Sequence, residues 1–148
     1  RLTKSSKIYF ADHGLLCHLL GIESIEEYLK SGFKGNIWEN ICMMELVKTQ
    51  NLRPGVELFF YRDQNGVEID FVVERKSELF FIEAKSSEKI DAKKLNFSKV
   101  VPLFKNDNKY CLLLNSMDIP DKISHKNFDV VNPMRCQISL KNLTKFLI

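Results

Sequence analysis

The chain has 148 residues, of which 45% are hydrophobic and 28% charged, with a formal net charge of +3. These are the proportions of an ordinary globular protein long enough for one full core, and the mild basicity permits a nucleic-acid partner without demanding one. No apolar run approaches the ~20 residues needed to span a bilayer and no signal peptide is visible, so a cytoplasmic protein without a membrane contact is expected.

The four cysteines, Cys17, Cys42, Cys111 and Cys136, lie far apart among apolar neighbours with no Cys-x-x-Cys pair. They read as reduced core residues. His13, Cys17 and His18 match no common zinc spacing. The chain opens at Arg1 rather than Met, which suggests a single domain, 1–148, cut from a longer protein.

In chain order, Lys7-Ile8-Tyr9-Phe10 reads as a short strand. Asp12 is placed to cap a helix through Leu15, Leu16, Leu19 and Leu20 that stops at Gly21. Ser24 and Glu27 have the spacing of a capping box for a second short helix, and Gly32 and Gly35 mark a break. Asn36 to Gln50 is the best helix in the sequence. At about 100° per residue, Glu39 falls on one sector with Cys42, Met43, Leu46 and Gln50. A lone carboxylate on an apolar stripe needs a partner. Glu39 could find it by reaching back from the third helical position to an Asn36 cap, or by facing a site, and the two are compatible.

Arg53-Pro54-Gly55 turns the chain into a strand at Glu57 to Arg62, and Asn65-Gly66 is a hairpin turn signal. Arg62 would stand near the mouth of any site on the next hairpin, where a guanidinium can hold a phosphate. After that hairpin, Ser86 and Ser87 are cap candidates for a helix through Ile90, Leu95, Phe97 and Val101 that Pro102 ends or kinks. Its lysines, Lys89, Lys93, Lys94 and Lys99, suit a solvated face or a nucleic-acid backbone. Lys109 to Asn115 reads as a buried strand and Phe128 to Val131 as another. Ser139 to Ile148 reads as a helix capped by Ser139 with Leu140, Leu143 and Leu147 inward.

The candidate chemistry lies on the central hairpin. Its first arm alternates, with Val67, Ile69, Phe71 and Val73 on one face and Glu68, Asp70, Val72 and Glu74 on the other. The second, Leu79 to Lys85, is more apolar and reads as a central strand. A symmetric turn centred between Lys76 and Ser77 sets Asp70 opposite Glu83 and Glu68 opposite Lys85. Two carboxylates at roughly 5 Å repel by about 3 kcal/mol at an effective dielectric near 20. A bridging Mg²⁺ or Mn²⁺ would turn that penalty into a binding site, and Lys85 on the same face could orient an attacking water or offset charge on a phosphate.

Glu68-Ile69-Asp70 followed by Glu83-Ala84-Lys85 resembles the PD-(D/E)XK nuclease signature, with Ile69 in place of the proline. The order helix, three antiparallel strands, helix, parallel strand is that of the restriction-endonuclease-like core: an α/β fold with a central mixed sheet, an antiparallel hairpin and flanking helices. Lys7 to Leu15, Gly35-Asn36-Ile37-Trp38-Glu39-Asn40, Tyr61-Arg62 with Gly66 to Phe71, and Ile82 to Lys85 together resemble one family. It is the poorly characterised nuclease-like domain found C-terminal to the ATPase module of many prokaryotic AAA-type ATPases. The chain has no Gly-Lys dipeptide and therefore no Walker A loop. Any ATP hydrolysis would belong to an N-terminal ATPase partner.

The resemblance implies Asp70 and Glu83 as metal ligands, Lys85 as the residue that helps activate water, and Glu39 as completing the site. Two functions follow: a Mg²⁺-dependent endonuclease acting on DNA, with Arg62 on the substrate, or a non-catalytic module that binds DNA or protein and regulates its ATPase.

Overall fold

The computed structural model describes residues 6–87, 89–119 and 122–143. Six strands form one mixed sheet in the order β1-β2-β3-β4-β6-β5. They are β1 (Leu58–Arg62), β2 (Glu68–Arg75), β3 (Glu78–Lys85), β4 (Lys109–Asn115), β5 (Ile123–Ser124) and β6 (Asp129–Val131). The first three are antiparallel, β4 joins β3 in parallel, β6 lies parallel to β4, and β5 closes the edge antiparallel to β6. The near-continuous apolar runs of β3 and β4 put them in the middle, where both faces are covered.

The central hairpin has the expected register, from Arg75↔Glu78 to Phe71↔Ile82. Its two-residue turn sets Lys76 in the left-handed region at φ 53°. The expected alternation of β2 fails at Asp70. Pairing with β1 passes from Phe59↔Val72 to Tyr61↔Ile69, so Phe60 alone faces both Asp70 and Phe71. That extra residue is a β-bulge, which turns the strand and re-aims its side chains. As a result Phe71 and Val73 pack on one side of the sheet while Ile69 packs with Val72 on the other.

Three helices precede the sheet: α1 (His13–Leu19), α2 (Ile25–Lys30) and α3 (Lys34–Gln50). Asp12 caps α1, and Ser24 and Glu27 form the full capping box of α2, both as the sequence predicts. α3 begins two residues early, after an N-cap at Phe33 that makes no side-chain bond. Asn36 therefore lies inside the helix, and Gly35 opens its first turn rather than breaking the chain. Trp38, Cys42, Met43 and Leu46 bury against Phe71, Val73, Phe80 and Ile82. Trp38 Nε1 donates to the Leu114 carbonyl at 3.1 Å, tying α3 to the centre of the sheet.

The expected strand at Lys7–Phe10 is an extended strap instead. The Asn40 side chain supplies its pairing, accepting from Phe10 N at 2.7 Å and donating to Phe10 O at 2.9 Å. On the opposite face, the single helix expected through Ile90 and Val101 is three short pieces. They are a 3₁₀ turn at Ala92–Lys94, α4 (Phe97–Val100) and a second 3₁₀ turn at Val101–Leu103. Asp91, not Ser86 or Ser87, caps the first. Leu95 turns to extended backbone at ψ 135° and separates the first turn from α4, whereas Val101 stays helical and leads into the last 3₁₀ turn with Pro102 near its start. Leu95, Phe97, Val100 and Val101 cover Ile69, Phe81, Cys111 and Leu113.

Ser139 makes no cap bond, and its predicted helix is a 3₁₀ turn, Leu140–Asn142, as far as the described residues go; Leu147 lies outside them. All four cysteines are free, but only Cys42 and Cys111 are in the core, Cys17 and Cys136 being half-buried. Among the described residues no helix is long and apolar enough to cross a membrane.

Candidate functional site

The bulge on β2 brings Asp70 to the point where β2 and β3 part. Its Oδ2 accepts a hydrogen bond from Ala84 N at 2.9 Å and lies 3.6 Å from Lys85 Nζ. From β3, Glu83 Oε2 reaches the same ammonium at 2.8 Å, and its Oε1 accepts from Asn96 N, the N-cap residue of α4, at 2.6 Å. Asn96 Nδ2 donates to the Glu68 carbonyl at 3.0 Å, so one residue, through its backbone N–H and its side chain, ties the end of β2 to the strand bearing Glu83. The fully buried Asn115 donates to the carbonyls of Lys85 and Ser87 and fixes the end of β3.

Lys85 thus stands between Asp70 and Glu83. Burial pushes the Glu83 carboxyl above its ordinary range, against the opposing pull of Lys85. Burial pulls the Lys85 ammonium down, but Asp70 and Glu83 more than offset this and its pKa is raised. At neutral pH Lys85 is a cation and not a base.

Glu68, set opposite Lys85 by a symmetric turn, has other cations as its partners. Glu68 is ion-paired with Lys7 through Oε1, and Arg62 Nε lies 3.4 Å from its Oε2. Arg62 thereby stands beside Glu68 with its side chain partly exposed. Glu39 faces the site and does not cap its helix: its Oε1 accepts from Tyr9 Oη at 2.7 Å and Lys7 Nζ at 2.9 Å. Lys7 Nζ also lies 3.6 Å from Asp70 Oδ1 and 5.6 Å from the centre of the Phe60 ring. Burial, then Glu39, raises the Tyr9 phenol, which stays a donor.

Sequence reading missed Lys7, Tyr9, Asn40 and Asn96 as parts of this site. The signal for the first two was present, since residues two apart on an extended segment share a side. Nothing local marks Asn40 or Asn96, whose partners are 30 and 28 residues away.

Four carboxylates (Glu39, Glu68, Asp70, Glu83) meet three cations (Lys7, Arg62, Lys85), which leaves a formal charge of −1. An anionic substrate gains nothing here until a further cation enters. The donors are hard oxygens from two adjacent strands sharing one cation, a set that suits Mg²⁺, which takes one or two carboxylates and keeps its waters. Among the described residues no group of three or more His, Cys, Asp or Glu is arranged to hold a metal ion. Beside Asp70, a hollow of about 290 Å³ lined by Lys7, Tyr9, Met43, Phe59 and Phe60 opens to solvent.

Residues 34–134 match the family described as Domain of unknown function (DUF4143). The chain belongs to this family. The match runs from the first residue of α3 past β6, so it takes in Glu39, Arg62, Glu68, Asp70, Glu83 and Lys85 but leaves the strap outside. No curated protein matches, and no solved structure matches.

Proposed function

We propose that this DUF4143 chain carries a phosphodiesterase site of the PD-(D/E)XK type, in which Asp70 and Glu83 hold Mg²⁺ and the substrate is DNA. The observation that carries the reading is the approach of Asp70 Oδ2 and Glu83 Oε2 to the single ammonium of Lys85 from neighbouring strands. The restriction-endonuclease-like assignment is supported by the bulged acidic strand, the Glu83-Ala84-Lys85 strand beside it and the parallel β4. An attached N-terminal ATPase module, implied by the family resemblance, would act as its partner.

The metal, when bound, would polarise a phosphoryl oxygen and acidify a water. The chain's residues supply the rest. Asp70 is anchored by Ala84 N, and Glu83 by Asn96 N, so neither carboxylate needs to reorganise as charge develops. Lys85, held as a cation, orients the attacking water or offsets charge on the phosphate. Glu39 takes the role of accessory ligand or base once its Oε1 is released by Lys7 and Tyr9. Arg62, half-exposed at the rim, meets the backbone of the substrate.

The test is cleavage of single- and double-stranded DNA with Mn²⁺ or Mg²⁺ by the wild type, Asp70→Asn and Lys85→Ala. Activity should fall about 10²-fold or more in each variant. Cleavage left intact in both would remove the reading. A second reading, a non-catalytic module that binds DNA or protein for its ATPase, is favoured by one observation: each site carboxylate is already ion-paired by the chain's own cations. DNA binding that ignores Mg²⁺ and survives Asp70→Asn would select it.

A further inference from the structure

Lys7 does for three carboxylates what a bound cation would do. Its ammonium lies 2.9 Å from Glu39 Oε1 and 3.6 Å from Asp70 Oδ1, and it is ion-paired with Glu68 Oε1. These acids come from α3 and β2, both packed into the core. The cation comes from the strap, whose hold on the body is through side chains: the Asn40 amide on the backbone of Phe10, and the Tyr9 hydroxyl on Glu39.

We propose that the strap is an internal competitor for the divalent cation, so that metal settles on Asp70 only as Lys7 withdraws. This rests on the reading of Asp70 and Glu83 as metal ligands. Asp70 faces Lys7 with one oxygen and Lys85 with the other, so a metal must displace one of them. Lys85 sits on a central strand whose end is fixed by Asn115. Among the described residues the strap backbone is held at Phe10, by Asn40, and Lys7 is the cation that can leave.

An ammonium a few ångströms from a dication is strongly repelled, so the two exclude one another. The same movement frees Glu39, because Lys7 and Tyr9 both bond its Oε1. Metal entry and release of Glu39 are therefore a single event, and whatever lifts the strap switches the site on.

The experiment is a calorimetric titration of Mn²⁺ into the 148-residue chain, comparing the wild type, Asp70→Asn, Lys7→Met, and Lys7→Met combined with Asp70→Asn. Lys7→Met should bind Mn²⁺ about tenfold more tightly or better, and the gain should vanish in the double variant. In the wild type, saturating Mg²⁺ should raise the labelling rate of Lys7 by an amine-reactive reagent, a readout that does not depend on how the variants fold. Equal affinity of the wild type and Lys7→Met, or unchanged Lys7 labelling at saturation, overturns the proposal. If that equal affinity is abolished by Asp70→Asn, the metal reading stands and the strap proposal alone falls. If neither the wild type nor Lys7→Met binds Mn²⁺, both fall. Tighter binding by Lys7→Met without DNA cleavage upholds the competitor and removes the nuclease.

Discussion

Glu83 is the most buried carboxylate of the site, with 1% of its surface exposed, and its ionised form works against the fold. Burial raises its folded pKa above the ordinary value near 4.5, with Lys85 opposing. Between those two values the folded chain holds a proton that the unfolded chain has released. The stabilisation belonging to this group is therefore complete below pH 4.5 and is lost as pH rises through the folded pKa. Glu83→Gln removes that slope. The amide oxygen can still accept from Asn96 N, and Lys85, partly exposed, keeps Asp70. The variant should match or exceed the wild type in urea unfolding at pH 7, by up to about 1 kcal/mol, while losing Mn²⁺ binding. The difference should shrink toward pH 4. A loss of more than about 2 kcal/mol at pH 7 would mean that Glu83 is a structural residue first.

The strap is the element that sequence reading placed least well, and the reason is physical. Lys7, Tyr9 and their neighbours have the alternation of a strand, but a strand needs a ladder, and here a single side chain, Asn40, replaces it. The central hairpin was legible because its symmetric two-residue turn fixes the register for every pair as far as Phe71↔Ile82. The bulge was not, since it depends on how β1 pairs and not on β2 itself. α4 was drawn too long because apolar spacing survives where Leu95 turns to extended backbone and breaks the helix. Asn40 gives the strap its own test. Truncation to Ala leaves the Phe10 N–H and carbonyl without their partner and should cost about 2 kcal/mol. Amide exchange at Phe10 should accelerate while exchange in β3 follows only the global loss. Protection at Phe10 unchanged from the wild type would mean that the strap is held by something other than Asn40.

At the scale of the whole molecule, two apolar layers share one sheet. Phe80 and Ile82 point to α3 and Trp38, whereas Phe81 and Cys111 point to α4 and its flanking turns. Because side chains alternate along the same two strands, neither layer can melt without taking β3 and β4 from the other. The site lies where the layers meet: Glu39 and Lys7 belong to the α3 side, Glu83 and Asn96 to the α4 side, and Asp70 on its bulge joins them. This arrangement predicts one cooperative transition, and the chain carries a reporter on each side. Trp38, the single tryptophan, reports on the α3 layer, and Cys111, fully buried with its thiol pushed up by burial, reports on the other. Phe81→Ala opens a cavity only on the α4 side and should cost about 3 to 5 kcal/mol. If the sheet couples the layers, the Trp38 fluorescence midpoint in urea must fall as far as the midpoint read by Cys111 thiol reactivity. A Trp38 transition that stays at its wild-type position while Cys111 becomes reactive would separate the layers, and with them the two halves of the site.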